Sequence, residues 1–593
     1  MILQALDAYY HRKQADPEPA HHLPAFGFED REIPFILELN DAGDLLQIAD
    51  TRSGEGKKRS AQRFLVPQGV KKTSGVAANV LWGNAEYALG LPDEGKLEDR
   101  RREGKEADYR QRLSEMRAAF RRRIADLPAQ DDTGVRAVLA FLDNFDLATL
   151  AATPGYADIA SGNPQVSFRL QGDAGLVCQR PQVAMAVATQ PDGSADGICL
   201  VSGRAAEIER LHPAIKGVWG AQTSGANIVS FNLGAFRSYG KEQGANAPLS
   251  KPAAFAYTTA LNHLLAKDSR QRIQVGDAST VFWAEEDHDL ESMIPDLFGD
   301  PPKDDPDRNI RAVEALYAAV HTGKFSGGGP TTRFHVLGLS PNAARIAIRF
   351  WETATAAELA QRIKQHFNDL DIVHAEYEPR HLSLFRLLTG VAVLGKADNI
   401  PPNLGGNVMR AILEGLPYPA TWLNLAVNRC RAERQVSYAR AAAIKATLNR
   451  WIRFRQSPEK EFLPMLDPAN ANPGYRLGRL FATLERIQED AAGGPGKLNA
   501  TIRDRYYGAA SSTPAAVFST LLRLSKHHLG KLSTGLAVTR ERLIGEIMDG
   551  FDAGSFPPRI LPLPDQARFA LGYYQQRQVF FTKSAPKNQE EFQ

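Results

Sequence analysis

RFHVLGLSPNAARIAIRFWE, residues 333–352, is the stretch from which the architecture reads outward in both directions. Phe334 and Val336 alternate before Ser340-Pro341-Asn342, and Ile346, Ile348 and Phe350 alternate after it. A period of two on either side of a turn-forming tripeptide predicts a β-hairpin. Upstream, residues 33–39 (IPFILEL), 45–49 and 64–67 read as strands, and residues 1–13 as a short helix with Ile2, Leu3, Leu6, Tyr9 and Tyr10 at helical spacing. VSFRL (166–170) and VAMAVAT (183–189) read as further β-like runs. Beyond Ala354 the period becomes helical and is broken at Pro379, Pro401, Pro402, Pro417 and Pro419. LDPANANP (466–473) is another break, followed by helical patterns at 475–491, 514–529, 540–551 and 565–581. The expected fold class is α+β: a mixed N-terminal α/β region with antiparallel strands (1–354), a helical connecting region (355–465) and a C-terminal four-helix bundle (466–593).

Composition excludes several classes. Of 593 residues, 43% are apolar and 23% charged, ordinary values for a soluble globular chain and far from collagen, a coiled coil or full disorder. No uninterrupted apolar run approaches the length of a membrane span. The start, MILQALDAYYHRK, lacks a signal-peptide layout, and Cys178, Cys199 and Cys430 fit neither a zinc site nor a disulfide framework. The expectation is a cytoplasmic protein with no membrane partner, cofactor or metal. Lys and Arg number 71 against 68 Asp and Glu, a net of +3 that names no partner.

That near-zero total is a cancellation. Residues 57–72 hold Lys57, Lys58, Arg59, Arg63, Lys71 and Lys72 and no acid, a pattern suited to a polyanion. Residues 100–123 carry ten basic residues but also Glu103, Glu106, Asp108 and Glu115, which reads as a solvated helix face laced with ion pairs. The chain from 431 onward is basic on balance, and the first 430 residues are acidic on balance.

No Walker A loop, HExxH, paired CxxC or GxSxG occurs, which argues against an ATP motor and a zinc enzyme. Glu285, Glu286, Asp287, His288 and Asp289 are the best enzyme-like cluster and carry the alternative function, a metal-dependent nuclease. Consecutive residues on a strand alternate faces, so the five converge only in a special turn. Residues 217–246, GVWGAQTSGANIVSFNLGAFRSYGKEQGAN, combine six glycines with amides and hydroxyls. Such a stretch is either an irregular loop with structural turns or a loop that approaches nucleic acid, since Gln and Asn can pair with base edges and hydroxyls with phosphates.

Four stretches resemble one family: MILQALDAYY (1–10), LVPQGVKKTSGVAANVLWGNAEYALG (65–90), GAQTSGANIVSFNLGAFRSYGKEQGANAP (220–248) and VLGLSPNAARIAIRFWE (336–352). They resemble the large subunit of the type I-C CRISPR surveillance complex, Cascade, of Cas-eight-c type. The resemblance implies a non-enzymatic, RNA-guided DNA-binding role near the 5′ end of the guide RNA, beside the 5′-handle-binding and backbone subunits. Such a subunit senses the protospacer-adjacent motif (PAM), helps open the duplex for R-loop formation and docks a helicase-nuclease, while base pairing reads the target. On this chain it places Lys57, Lys58 and Arg59 on duplex phosphates, and Lys71, Lys72, Thr73, Ser74 and nearby Asn79 at the PAM. Gln222, Thr223, Ser224, Asn227 and Asn232 are the polar contacts of a wedge or minor-groove loop, with Arg237 and Lys241 adding charge. In the small-subunit-like C-terminal region, Arg476, Arg479, Arg503, Arg505, Arg523, Lys526 and His527 are candidates for the displaced single strand.

Families of this subtype can make a separate small subunit from an internal start. Met465 stands just before the break at 466–473, and a start there yields 129 residues. Intact-mass analysis of the expressed gene is expected to find this species and to lose it in Met465→Leu; its persistence in that variant rules out this start.

Overall fold

The computed structural model describes residues 1–54, 59–70, 75–144, 146–189, 195–325, 327–551 and 556–581. Two compact units emerge, one of Met1–Ile215 with Val229–His263, the other of Lys216–Ile228 with Leu264–Gln593. Positions 354 and 465, the expected boundaries, both fall inside the second unit. Among the described residues no helix is long and apolar enough to cross a membrane.

The first unit centres on a four-stranded sheet. Phe35–Leu39 pairs antiparallel with Leu45–Asp50 and parallel with Gln165–Leu170, which pairs antiparallel with Trp82–Asn84. The near-continuous apolar run of Phe35–Leu39 suits a strand covered on both faces. Helix Glu106–Ala125 buries Tyr109, Leu113, Met116, Phe120 and Ile124, an i/i+3/i+4 stripe, and Phe120 meets Phe168 of the sheet. VAMAVAT, expected as β, lies mostly in helix Pro181–Ala188. Pro181 presets the helical φ at the first turn, and the alternate alanines favour helix over strand.

In the second unit, Arg272–Val275, Ala278–Ala284, Arg333–Asn342 and Arg345–Thr355 form an antiparallel meander. The hairpin is present, but its turn is Ala343-Ala344 rather than Ser340-Pro341-Asn342. Ser340 is fully buried in the strand, and Ala343 takes φ +52°. Pro341 is tolerated there because the neighbouring strand stops pairing at Leu339, so its missing N–H breaks no ladder. A bulge separates Gly338 from Leu339, and a Cβ on Gly338 would lie 2.3 Å from the Phe350 ring. The ring thus occupies the space a side chain would need.

Helices Ala356–Leu370, Leu404–Glu414, Ala420–Glu433 and Tyr438–Phe454 share one apolar core with this sheet and with the helices that follow. Inside it the Asp369 carboxylate accepts from Arg450 Nε at 2.8 Å and from Arg453, while Arg450 donates to Ala411 O (2.7 Å) and Leu416 O (2.8 Å). The C-terminal segment has five described α-helices instead of the expected four: Pro473–Ala491, Ile502–Ser512, Phe518–Leu529, Thr534–Met548 and Leu563–Phe581. Ile502–Ser512 escapes the sequence pattern because only Ile502, Tyr507, Ala510 and Ser511 face inward, too sparse an apolar stripe to show period. Its start is nonetheless encoded, since Thr501 and Asp504 form a capping box.

Helices Pro473–Ala491 and Leu563–Phe581 cross with their backbones touching. A Cβ on Gly478 would sit 2.0 Å from Phe569 O, and one on Gly572 2.1 Å from Tyr475 O. Gly478→Ala therefore forces rigid backbones apart and is expected to cost about 1–3 kcal/mol or more. Gly545→Ala, in helix Thr534–Met548 with open space around it, is expected to gain about 1 kcal/mol. Urea denaturation of the two variants checks the pair; equal midpoints would remove the case for the crossing.

Candidate nucleic-acid interface

The glycine- and amide-rich stretch is built onto the hairpin of the second unit. Trp219 N–H donates to Ser279 Oγ at 2.9 Å, which fixes its start on strand Ala278–Ala284. Eight residues on, Asn227 lies alongside Arg345, and its carbonyl accepts Ile346 N–H at 3.0 Å. Between these clamps Gly225 N–H closes a turn on Gln222 O at 2.9 Å, with Gly225 at φ +94°. Gln222, Thr223 and Ser224 stand exposed on that turn, while Ala226 is buried beneath it. Asn227 is thus a fastening residue whose backbone holds the turn. Trp219, which the sequence reading passed over, is 59% exposed beside the turn. A lone indole among glycines and polar residues was the signal that could have found it. An exposed indole plus an amide and two hydroxyls on a braced turn can stack on a base and hydrogen-bond its edge.

The first unit takes the rest of the stretch, from Val229 onward, including exposed Asn232, Arg237 and Lys241. The single loop expected over 220–232 is thereby split at residues 228 and 229. Arg237 is ion-paired with Glu242 at 2.7 Å.

Of the basic window, Lys57, Lys58, Lys71, Lys72, Thr73 and Ser74 lie outside the described residues. Their flanks are tied down. Gly69 N–H donates to Glu29 Oε1 at 3.1 Å, Val70 N–H to Asn79 Oδ1 at 3.0 Å, and Arg112 to Gly75 O at 3.4 Å. Asn79, expected as a base reader, thus spends its oxygen on bracing the chain at Val70. Arg59 pairs with Asp50 at 3.1 Å, and Arg63 with Asp30 at 2.8 Å. On the helices spanning residues 94–125 the expected ion-pair lacing is present. Arg101 and Arg110 converge on Glu106 at 2.8 Å each and hold its carboxyl down to about 2.

The C-terminal candidates separate by depth. Arg479 is buried, donating to Gln576 Oε1 (3.2 Å) and Pro468 O (3.0 Å), and burial pushes its guanidinium below the ordinary value. Arg476 donates to Asn470 O at 2.8 Å, and Arg503 is half-buried, 3.8 Å from the buried Glu485. Arg479 is thereby corrected from a strand contact to a packing residue, sealed in where it serves the buried carbonyl and amide oxygens, whereas Arg476 and Arg503 keep part of their surface exposed. Arg505, Arg523, Lys526 and His527 are exposed. The last three lie at i, i+3 and i+4 on helix Phe518–Leu529 and so share one face.

The acidic run does not converge. Glu285, Glu286 and Asp287 are exposed, whereas His288 is turned inside against Phe325, with ring centroids 5.1 Å apart. Among the described residues no three His, Cys, Asp or Glu side chains are grouped to hold a metal ion.

Comparison with known proteins gives one finding. No curated protein matches the chain. A family model described as CRISPR-associated protein (Cas_Csd1) matches residues 6–581, both units and the hairpin-mounted turn included. With nearly the whole length aligned, the chain belongs to the CRISPR-associated Cas_Csd1 family of Cascade components.

Proposed function

We propose that this protein is the non-enzymatic large subunit of a type I-C Cascade, and that it reads the PAM and helps open target DNA for the guide RNA. The observation that carries this reading is the clamped turn at residues 222–225, which presents Gln222, Thr223 and Ser224 beside the exposed Trp219. Fastening at Ser279 and at Arg345 makes the turn a rigid probe, and rigidity lowers the ordering cost of binding. A short side chain such as Thr223 or Ser224 on such a probe fits a narrow groove, Gln222 fills the gap left by a displaced base, and the indole stacks on its neighbour.

In this reading the acid-free window holds duplex phosphates through Lys57 and Lys58 and meets the PAM at Lys71 and Lys72. The exposed face of Arg523, Lys526 and His527, with Arg505, tracks the displaced strand. Partners are the guide RNA near its 5′ end, the 5′-handle-binding and backbone subunits, a small subunit and the helicase-nuclease.

Binding of the assembled complex to a PAM-containing duplex tests the placement. Gln222→Ala and Trp219→Ala are each expected to weaken binding about 5- to 150-fold, the equivalent of about 1–3 kcal/mol for one base no longer read, and to blunt PAM preference. Lys71→Ala/Lys72→Ala is expected to weaken binding, to blunt PAM preference and to flatten the salt dependence, by about 0.9 in the log–log slope for each phosphate no longer neutralised. Unchanged affinity and preference in all of these variants would defeat the placement.

A second experiment addresses the absence of enzymatic activity. Duplex and single-stranded DNA incubated with the protein and Mg²⁺ or Mn²⁺ are expected to stay intact. Cleavage that disappears in Asp287→Ala would make the protein a nuclease instead.

A further inference from the structure

The first unit carries a second exposed aromatic side chain, held in a conformation that folding alone does not favour. Ser238-Tyr239-Gly240-Lys241 is a tight turn closed by Lys241 N–H on Ser238 O at 2.9 Å. Tyr239 has φ +51° and Gly240 φ +71°, the two left-handed central residues of a type I′ turn. Such turns use Asn, Asp or Gly at the first of these positions, because a left-handed residue bearing a larger side chain is strained by roughly 1–2 kcal/mol. Tyr239 is also 98% exposed, so its ring gains nothing from burial.

The turn is nevertheless held firmly from below. Asn246 accepts Ser238 N–H at 3.1 Å on its oxygen and donates through Nδ2 to Lys241 O (3.2 Å) and Gln243 O (3.1 Å). The Arg237–Glu242 ion pair flanks the turn at 2.7 Å. Gly244 N–H donates to Arg210 O at 3.1 Å, and a Cβ on Gly244 would lie 2.1 Å from Glu209 O, so no side chain fits at that junction. A braced turn thus projects one phenol ring into solvent with the exposed Lys241 ammonium two residues away.

We propose that Tyr239 is a stacking finger for an unpaired base, with Lys241 set against a neighbouring phosphate. An aromatic face beside a cation on a stiff turn is the chemistry that takes up single-stranded nucleic acid without reading its sequence. The proposal rests on the nucleic-acid-binding reading given above and adds a second point of attachment, one specific for unpaired strands.

The test measures binding of the assembled complex to a fluorescein-labelled mixed-sequence single-stranded DNA and, in parallel, to a PAM-containing duplex. Tyr239→Ala is expected to weaken the single strand about 5- to 150-fold, the range for removal of one base stack. Tyr239→Phe is expected to retain binding, and Lys241→Ala to lower the salt slope by about 0.7. Tyr239→Gly separates function from folding: it relieves the left-handed strain, so melting temperature is expected to hold or rise while single-strand binding falls. Wild-type single-strand affinity in Tyr239→Ala and Tyr239→Gly, with Trp219→Ala and Gln222→Ala still defective on duplex, overturns the finger and leaves the proposed function standing. Wild-type affinity together with loss of Tyr239→Ala protein from the assembled complex on size exclusion makes the ring a subunit contact, which also overturns it. If wild-type complex binds neither DNA, the proposed function fails first.

Discussion

The helical half of the second unit depends on two helices that touch backbone to backbone. Gly474 and Gly478 of Pro473–Ala491 meet Asp565 and Phe569 of Leu563–Phe581, and Gly572 answers from the other side. At that separation, neighbouring polar side chains reach across: Tyr475 Oη donates to Gln575 Oε1 at 2.6 Å, and the buried Glu485 accepts from Tyr573 and Arg577 at 2.6 Å each. Phe481 then packs among Tyr507, Phe518, Phe569 and Tyr573. Helices Ala420–Glu433 and Tyr438–Phe454 pack on the same Leu563–Phe581 helix, so the chain before and after Met465 shares one core. A polypeptide starting at Met465 would leave that face of Leu563–Phe581 uncovered, and it would need another apolar surface to cover it.

The same logic of a stiff support and an exposed tip recurs at the candidate interface. The hairpin spends most of its apolar residues on the core, with Ile348 exposed, and uses backbone groups at its end, near Ala344 and Ile346, to hold Asn227. Ser279 fixes the other end of the same short loop. The polar tip is left with nothing to do for the fold. Side chains that serve neither core nor ladder yet sit on a rigid base are the ones available to a partner.

Much of the fold is legible in the order of residues. The alternation over residues 333–352 yields the hairpin, IPFILEL yields a buried central strand, and the change of period after Ala354 marks the helical region. The mixed charges of 100–123 read as a solvated face laced with ion pairs, and the pairs are present where acid and base lie at pairing distance along the chain. The turn residue pattern misleads at Ser340-Pro341-Asn342, since Pro341 escapes its usual penalty only where a neighbouring strand ends. VAMAVAT misleads because Val raises β propensity while the alanines and Pro181 decide the local energetics.

Local order along the chain set most elements, the ion-paired helices and the family. What it left open was which polar side chains face outward. Arg479 and Arg523 look alike in sequence, yet one is sealed against Gln576 and the other is exposed. Trp219 drew no reading from its neighbours and is mostly exposed; Asn79 and Asn227 look like readers and serve as fasteners. Facing is set by partners far away in sequence, and the free energy of burying a charge or exposing a ring depends on those partners. No short-range pattern holds that information, so which of the candidate residues face outward came into view only when the distant strands and helices were brought together.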